Sequence, residues 1–284
     1  MSFVERVVPV SGGDIACLER TEGEGPTLVF CHATGFCKEV WIPVIEELSE
    51  RVRGWTALAL DQRFHGRSQG FPADFDWWRL GEDVRDVAVD RRPIIGIGHS
   101  GGGAAITMAE VLGAGTFSAA ILVEPIIFPP SYGAARYQAR AEAAARRRRH
   151  FASSDAAFAN YHGRGPFSGW DDRALRSYVA GGFKPDGDSV TLRCAPESEA
   201  QFFLRAAGHA LWDRLGELDL PVSLIAGAGS DTHPAGFLAR QAEQIKRATT
   251  EVVPDTSHFV PMEAPGLLAD RIAAVIDTVR GDSN

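Results

Sequence analysis

The pentapeptide Gly98-His99-Ser100-Gly101-Gly102 constrains this 284-residue chain more than any other feature. It follows a nearly continuous apolar run at 93–97 and leads into small and apolar residues at 100–112. The first run reads as a buried strand, the second as a helix able to press close on a sheet. A serine between them must occupy a sharp turn that lifts its hydroxyl clear of the strand ends. Side chains two positions either side would collide in such a turn, which accounts for Gly98 and Gly102. Gly103, Ala104 and Ala105 let the helix approach the strands. Free N–H groups at the helix start would face negative charge developing beside the serine. The five letters alone arise easily by chance in a chain with 30 glycines. Their weight comes from the strand–turn–helix setting.

The same alternation runs along the chain. Residues 3–10 and 15–20 flank Ser11-Gly12-Gly13-Asp14 and read as a hairpin. Apolar runs at 27–31, 56–60, 93–97, 119–123 and 222–226 suit parallel strands covered on both faces. Helical spacing marks 41–48 and 80–89, and further helices are expected at 237–245 and 267–279. Strand and helix in alternation imply an α/β chain with a doubly wound, mostly parallel sheet of about eight strands. The rhythm breaks from 126 to 215. No comparable strand run occurs there. Residues 134–149 are rich in Ala, Arg and Glu, and 171–179 and 197–207 are further helical stretches. The expectation is a helical cap at 126–215, inserted between strands 6 and 7 of a core built from 1–125 and 216–284.

Composition narrows the class. A net charge of −8 opposes a primary role on nucleic acid. The longest apolar runs are far too short to span a bilayer. The opening Met1-Ser2-Phe3-Val4-Glu5-Arg6 lacks the basic-then-apolar pattern of a secretory leader, so a cytoplasmic location is expected. Cys17, Cys31, Cys37 and Cys194 form no C-x-x-C pair and read as small buried hydrophobes. No H-E-x-x-H pattern occurs, and neither a metal nor an organic cofactor is expected. The expected partner is a small-molecule substrate, with no nucleic acid and no membrane span; the sequence leaves a homodimer open.

Further segments carry a resemblance. After 27–31 comes His32-Ala33-Thr34-Gly35-Phe36, and after 56–60 comes Asp61-Gln62-Arg63-Phe64-His65-Gly66-Arg67-Ser68. They are similar to the H-G-x loop and the D-x-R-x-H-G-x-S turn of the serine-dependent α/β-hydrolase superfamily. Ala33 stands where that family has glycine, and the loop is one residue longer. Ser100, an acid and His258 follow in the chain order of that fold. Nearly the whole chain thus resembles the capped branch of the superfamily, which holds esterases and C–C hydrolases.

The resemblance implies an α/β-hydrolase fold and a set of roles. Ser100 would be the nucleophile. His258, in the loop 255–261 before the last helix, would be its base. Asp231, after 222–226, is favoured as the acid that orients the histidine, with Glu124, just before Pro125, as its competitor. The oxyanion N–H groups would come from Gly101 and Thr34; the extra loop residue leaves Gly35 or Phe36 open as the second donor. His32 would anchor its loop, and Asp61, Arg63 and His65 would hold their own turn. Phe36, His99, Phe259, Tyr137 and Trp170 are candidates for the substrate pocket. Trp77 and Trp78 read as core plus surface cover. Tyr132, Tyr137, Tyr161 and Tyr178 all fall in the insertion and read as amphipathic lining. The implied reaction is ester hydrolysis through an acyl-enzyme. C–C hydrolysis, thioester or lactone cleavage and acyl transfer use the same groups, and a non-catalytic ligand receptor is the reading outside enzymology.

The overall charge hides a division. Residues 126–215 hold 13 Lys and Arg against nine Asp and Glu, a net of +4. The remaining residues hold 16 against 28, a net of −12. A basic insertion on an acidic core fits Coulombic attraction between the two or a merely solvated helix, and equally a lid that attracts anionic substrates such as carboxylates. Arg146, Arg147, Arg148 and Arg149 cannot share one helix face and read as a solvated helix end.

Overall fold

Successive side chains of a strand point to opposite faces, so a strand that is apolar throughout needs cover on both sides. The computed structural model, which describes residues 2–72, 76–132 and 134–281, meets that demand with two cores. The chain begins with a hairpin, β1 (Val4–Val10) and β2 (Gly13–Thr21). It continues through β3 (Thr27–Cys31), α1 (Ile42–Ser49), β4 (Thr56–Leu60), α2 (Trp78–Ala88), β5 (Ile94–His99), α3 (Gly101–Leu112) and β6 (Ala119–Val123). Leu28 and Phe30 of β3 pack with Ile45 of α1, while Val29 and Cys31 pack with Val84 of α2 and Ile106 of α3.

After β6 the chain leaves the sheet. It forms α4 (Ala134–Ala145), β7 (His150–Phe151), α5 (Ser154–Tyr161), α6 (Asp172–Gly182), β8 (Phe183–Asp186), β9 (Ser189–Leu192) and α7 (Pro196–Arg205). It then returns as β10 (Val222–Gly227), α8 (Phe237–Ala242), β11 (Ala248–Val253), α9 (Val260–Glu263) and α10 (Pro265–Gly281). Ile272 and Ile276 of α10 join the α1 core. The main sheet has eight strands in the order β1-β2-β4-β3-β5-β6-β10-β11. Only the first two strand pairs are antiparallel; the rest are parallel. Helices on both faces make this the α/β-hydrolase fold.

The inserted segment departs from an all-helical expectation. It carries a small antiparallel sheet, β7-β9-β8. Asp186 pairs with Ser189 across a two-residue loop, and Gly187 takes φ 58° there. Gly-Asp between short strands is a hairpin signal, hidden here by Pro185 and by strands of four residues. The helices have ordinary starts. Ser153 Oγ accepts the Ala156 N–H at 3.1 Å, and an Asp171 oxygen accepts the Arg173 N–H at 2.7 Å.

The arginine run is also not uniformly solvated. Arg147 turns inward to bond Glu199 and the Tyr178 hydroxyl. Arg148 lies over the Phe151 ring, and Arg149 pairs with Glu197. All four cysteines are buried free thiols. No described helix is long and apolar enough to cross a membrane.

Phe30 is fully buried at the centre of the sheet, whereas Val7 on the edge strand is 64% exposed. Phe30→Ala is expected to lower unfolding free energy by about 3–5 kcal/mol. Val7→Ala should stay within roughly 0.5 kcal/mol of the parent. Urea titration of the two variants measures both.

Candidate active site

Ser100 sits at the junction of β5 and α3 with φ 54° and ψ −113°, a backbone conformation uncommon outside glycine. Its N–H donates to the Val123 carbonyl at 2.9 Å, and its own carbonyl accepts from Gly103 at 3.0 Å. These bonds hold the strained turn. A Cβ on Gly98 would lie 2.5 Å from the Gly102 carbonyl oxygen, and one on Gly102 would lie 2.1 Å from that of Cys31. Both glycines are therefore steric requirements. Residues 96–101 also spell the glycine spacing of a dinucleotide-binding turn. Gly96 and Gly98 lie inside β5, however, so no phosphate-cradling loop forms from them.

His258 lies between β11 and α9. Its Nδ1 is 2.9 Å from Glu124 Oε2. Glu124 follows β6 directly, with φ 50°, and its carboxylate is buried among donors. The Gly227 N–H donates to Oε1 at 2.9 Å, and the Ser230 hydroxyl donates to Oε2 at 2.7 Å. His233 Nδ1 also approaches Oε2 to 2.8 Å, at an angle that makes it a contact and not a hydrogen bond. Burial pushes the Glu124 pKa up, but His233 and His258 outweigh it and hold the carboxyl well below its usual range. Glu124 is therefore the ionised partner of His258. Burial lowers the His258 pKa, and Glu124 opposes that fall only in part. The donor atoms of Glu124, His233 and His258 lie within 4.8 Å of one another, a metal-like spacing, although two of them are already engaged with each other.

Asp231, the favoured acid in the sequence, is not on His258. Its side chain is 81% exposed and meets Arg140 of α4 at 3.3 Å. Its neighbour explains why. Ser230 turns inward to Glu124, so the next side chain on the loop points outward. His233, on the same loop, lies fully buried against Glu124.

Thr34 and Gly101 face each other: a Cβ on Gly101 would lie 3.5 Å from the Thr34 nitrogen. The other two donors are taken. The Gly35 N–H donates to His65 Nε2 at 2.9 Å, and the Phe36 N–H to the Ala33 carbonyl at 3.2 Å. Burial holds the His65 pKa near 4, which keeps that ring neutral and able to accept. Among the described residues the Thr34 and Gly101 N–H groups have no partner. His32 anchors the loop through Nδ1 to Ala33 and by accepting the Gln62 N–H at 3.1 Å. Asp61 reaches beyond its own turn to the buried Lys38 ammonium at 3.0 Å, and Arg63 is held by Asp83.

Ser100, His258 and Thr34 share the wall of one cavity of about 470 Å³, together with Phe36, Phe259 and Tyr137. The Ser100 hydroxyl makes no hydrogen bond to a described residue. Two expected pocket residues sit a layer behind. His99 is fully buried and donates from Nε2 to the His258 carbonyl at 2.9 Å. Trp170 packs behind Phe36 and Phe259. Tyr161 lines the cavity, while Tyr178 lies buried beneath Phe36. Trp77 is core and donates to the Phe202 carbonyl; Trp78 is half-buried cover.

A model described as the alpha/beta hydrolase family matches residues 28–271. The chain belongs to that family. This hydrolase is 30% identical over 223 residues to the abhydrolase domain-containing protein ACTT2 of Alternaria alternata, covering 66% of this chain and 84% of the relative. It is 24% identical to a 2-(acetamidomethylene)succinate hydrolase of Mesorhizobium japonicum, over 97% of this chain and 96% of that one. The solved structure of an E-2-(acetamidomethylene)succinate hydrolase superposes with a TM-score of 0.83 at 22% identity, covering 97% of this chain and all of the other.

The elbow contacts make a direct test. Gly102→Ala is expected to destabilise the hydrolase by about 1–3 kcal/mol or more, because the Cβ meets backbone. Gly208→Ala, where nothing lies within 4 Å, should leave the melting temperature nearly unchanged.

Proposed function

We propose that the chain hydrolyses an ester-like bond of a small molecule through an acyl-enzyme. Ser100 is the nucleophile, His258 the general base, and Glu124 the acid that orients it. The observation that carries this reading is the His258–Glu124 hydrogen bond behind a cavity wall shared by His258 and Ser100. Nδ1 donates to the carboxylate, which leaves Nε2 free to accept the serine proton. The hydroxyl oxygen then attacks the carbonyl carbon. Negative charge moves to the carbonyl oxygen, where the two unused N–H groups of Thr34 and Gly101 can receive it. His258 returns the proton to the departing alcohol. A water, deprotonated at the same nitrogen, attacks the acyl-serine and releases the acid. The segment 126–215 acts as a cap that walls this cavity. The relatives' hydrolase names support the reaction class.

A fluorophosphonate probe should label the wild type and leave Ser100→Ala unlabelled; equal labelling would falsify the nucleophile assignment. On a p-nitrophenyl ester, Glu124→Gln should lower kcat by about 10³- to 10⁴-fold, and Asp231→Asn should change it by less than about threefold. The opposite pattern would return the acid to Asp231.

The pH profile carries a second check. The base works when neutral, so kcat/KM rises with pH through the pKa of His258. Burial lowers that pKa, with Glu124 raising it in part, so the half-maximum should fall below 6.5. Glu124→Gln removes the charge that favours the imidazolium and should move the half-maximum further toward acid. A wild-type midpoint above that histidine value would contradict the burial argument.

A further inference from the structure

We infer that the substrate carries a carboxylate remote from the scissile carbonyl, received by Arg136, Arg140 and Arg164. The inference rests on the hydrolytic reading of the same cavity. Carbon dominates the wall, through Phe36, Phe128, Phe203 and their neighbours, yet four arginines also line it. An isolated charge on an apolar wall is costly unless something pairs with it.

Arg147 is satisfied inside the fold, by Glu199 and Tyr178. Glu199 is the only acidic side chain on the same wall among the described residues, so it is spent. The other three cations have no buried carboxylate. Arg136 donates to the Asp231 backbone carbonyl. Arg140 donates to Thr232 Oγ1 at 2.9 Å and meets the Asp231 carboxylate only at 3.3 and 3.4 Å. That carboxylate is 81% exposed, and an exposed pair of this kind is weak. The Arg164 guanidinium pairs with no described residue.

Arg136 and Arg140 are one helical turn apart on α4 and share a face. Both are pinned to residues 231–232, next to Ser230 on Glu124. The cationic side of the cavity is thus fixed relative to the reacting groups. A guanidinium offers a planar fork that matches a carboxylate. The apolar residues of the same wall, such as Phe36, Phe128 and Phe203, would take the carbon chain that links carboxylate to scissile carbonyl. The division of charge along the sequence, +4 in the insertion against −12 elsewhere, then has a local use.

The test uses two matched pairs. Mono-p-nitrophenyl glutarate and p-nitrophenyl pentanoate differ at the remote carboxylate; so do glutarate and pentanoate. The wild type should show kcat/KM at least about tenfold higher for the carboxylate ester, a preference that shrinks as salt rises. Arg136→Gln/Arg140→Gln should cut the preference below about threefold, and Arg140→Lys should restore part of it. Arg164→Gln, at an exposed side chain with no hydrogen bond or ion pair to a described residue, tests the claim without disturbing α4. Equal kcat/KM for the two esters, or a preference unmoved in both glutamine variants, overturns the inference.

Calorimetry of the two acids on Ser100→Ala separates this inference from the reaction itself. If wild type turns over neither ester, the hydrolytic reading fails. Tighter binding of glutarate than pentanoate, lost in the arginine variants, would then still support the carboxylate site. Equal affinities overturn it.

Discussion

The carboxylate of Glu124 is where the fold and the site become one object. It stands at the end of β6, accepts the Gly227 N–H at the end of β10, and holds His258 in the loop beyond β11. Three adjacent parallel strands thus end on a single buried anion. Burying a carboxylate is costly unless every lone pair is met. Here a backbone N–H, a hydroxyl and an imidazole meet it, with a second imidazole alongside. The same donors that compensate the burial keep the anion ionised, and the ionised anion fixes the ring of His258. Removing the carboxylate would release the 227–230 loop and the loop that carries His258.

Much of this was legible in the sequence because parallel strands advertise themselves. The runs at 27–31, 56–60 and 119–123 coincide with β3, β4 and β6. The elbow was legible because steric crowding leaves glycine no substitute at Gly98 and Gly102. The acid was not. Both carboxylates follow strands of the right kind, and chain order does not separate them. What separates Glu124 from Asp231 is the direction in which one loop turns, with Ser230 inward and Asp231 outward. That orientation depends on contacts made across more than a hundred residues of chain. The open N–H of the 32–36 loop was obscured for a similar reason. Thr34 is singled out only because His65 and Ala33 occupy the N–H groups of Gly35 and Phe36.

The insertion was legible by composition and poorly legible by structure. Its helices follow propensity, but its sheet rests on strands of two to four residues whose pairing is tertiary. Arg147 shows the limit of reading charge locally. Among four consecutive arginines nothing in the sequence marks the one that turns inward, because Glu199 and Tyr178 arrive from other helices.

The cationic wall and His258 are not independent. His258 is held neutral chiefly by burial, and Arg140 adds to that by making a second positive charge nearby unfavourable. A carboxylate seated on Arg140 would cancel that field. Relief of that minor contribution would shift the His258 pKa slightly upward, while Glu124, already ionised, would be unaffected. On the proposed reading, recognition of the remote anion and activation of the serine would draw on one electrostatic balance, dominated by burial and the Glu124 carboxylate, with a small part from the Arg140 guanidinium of the insertion.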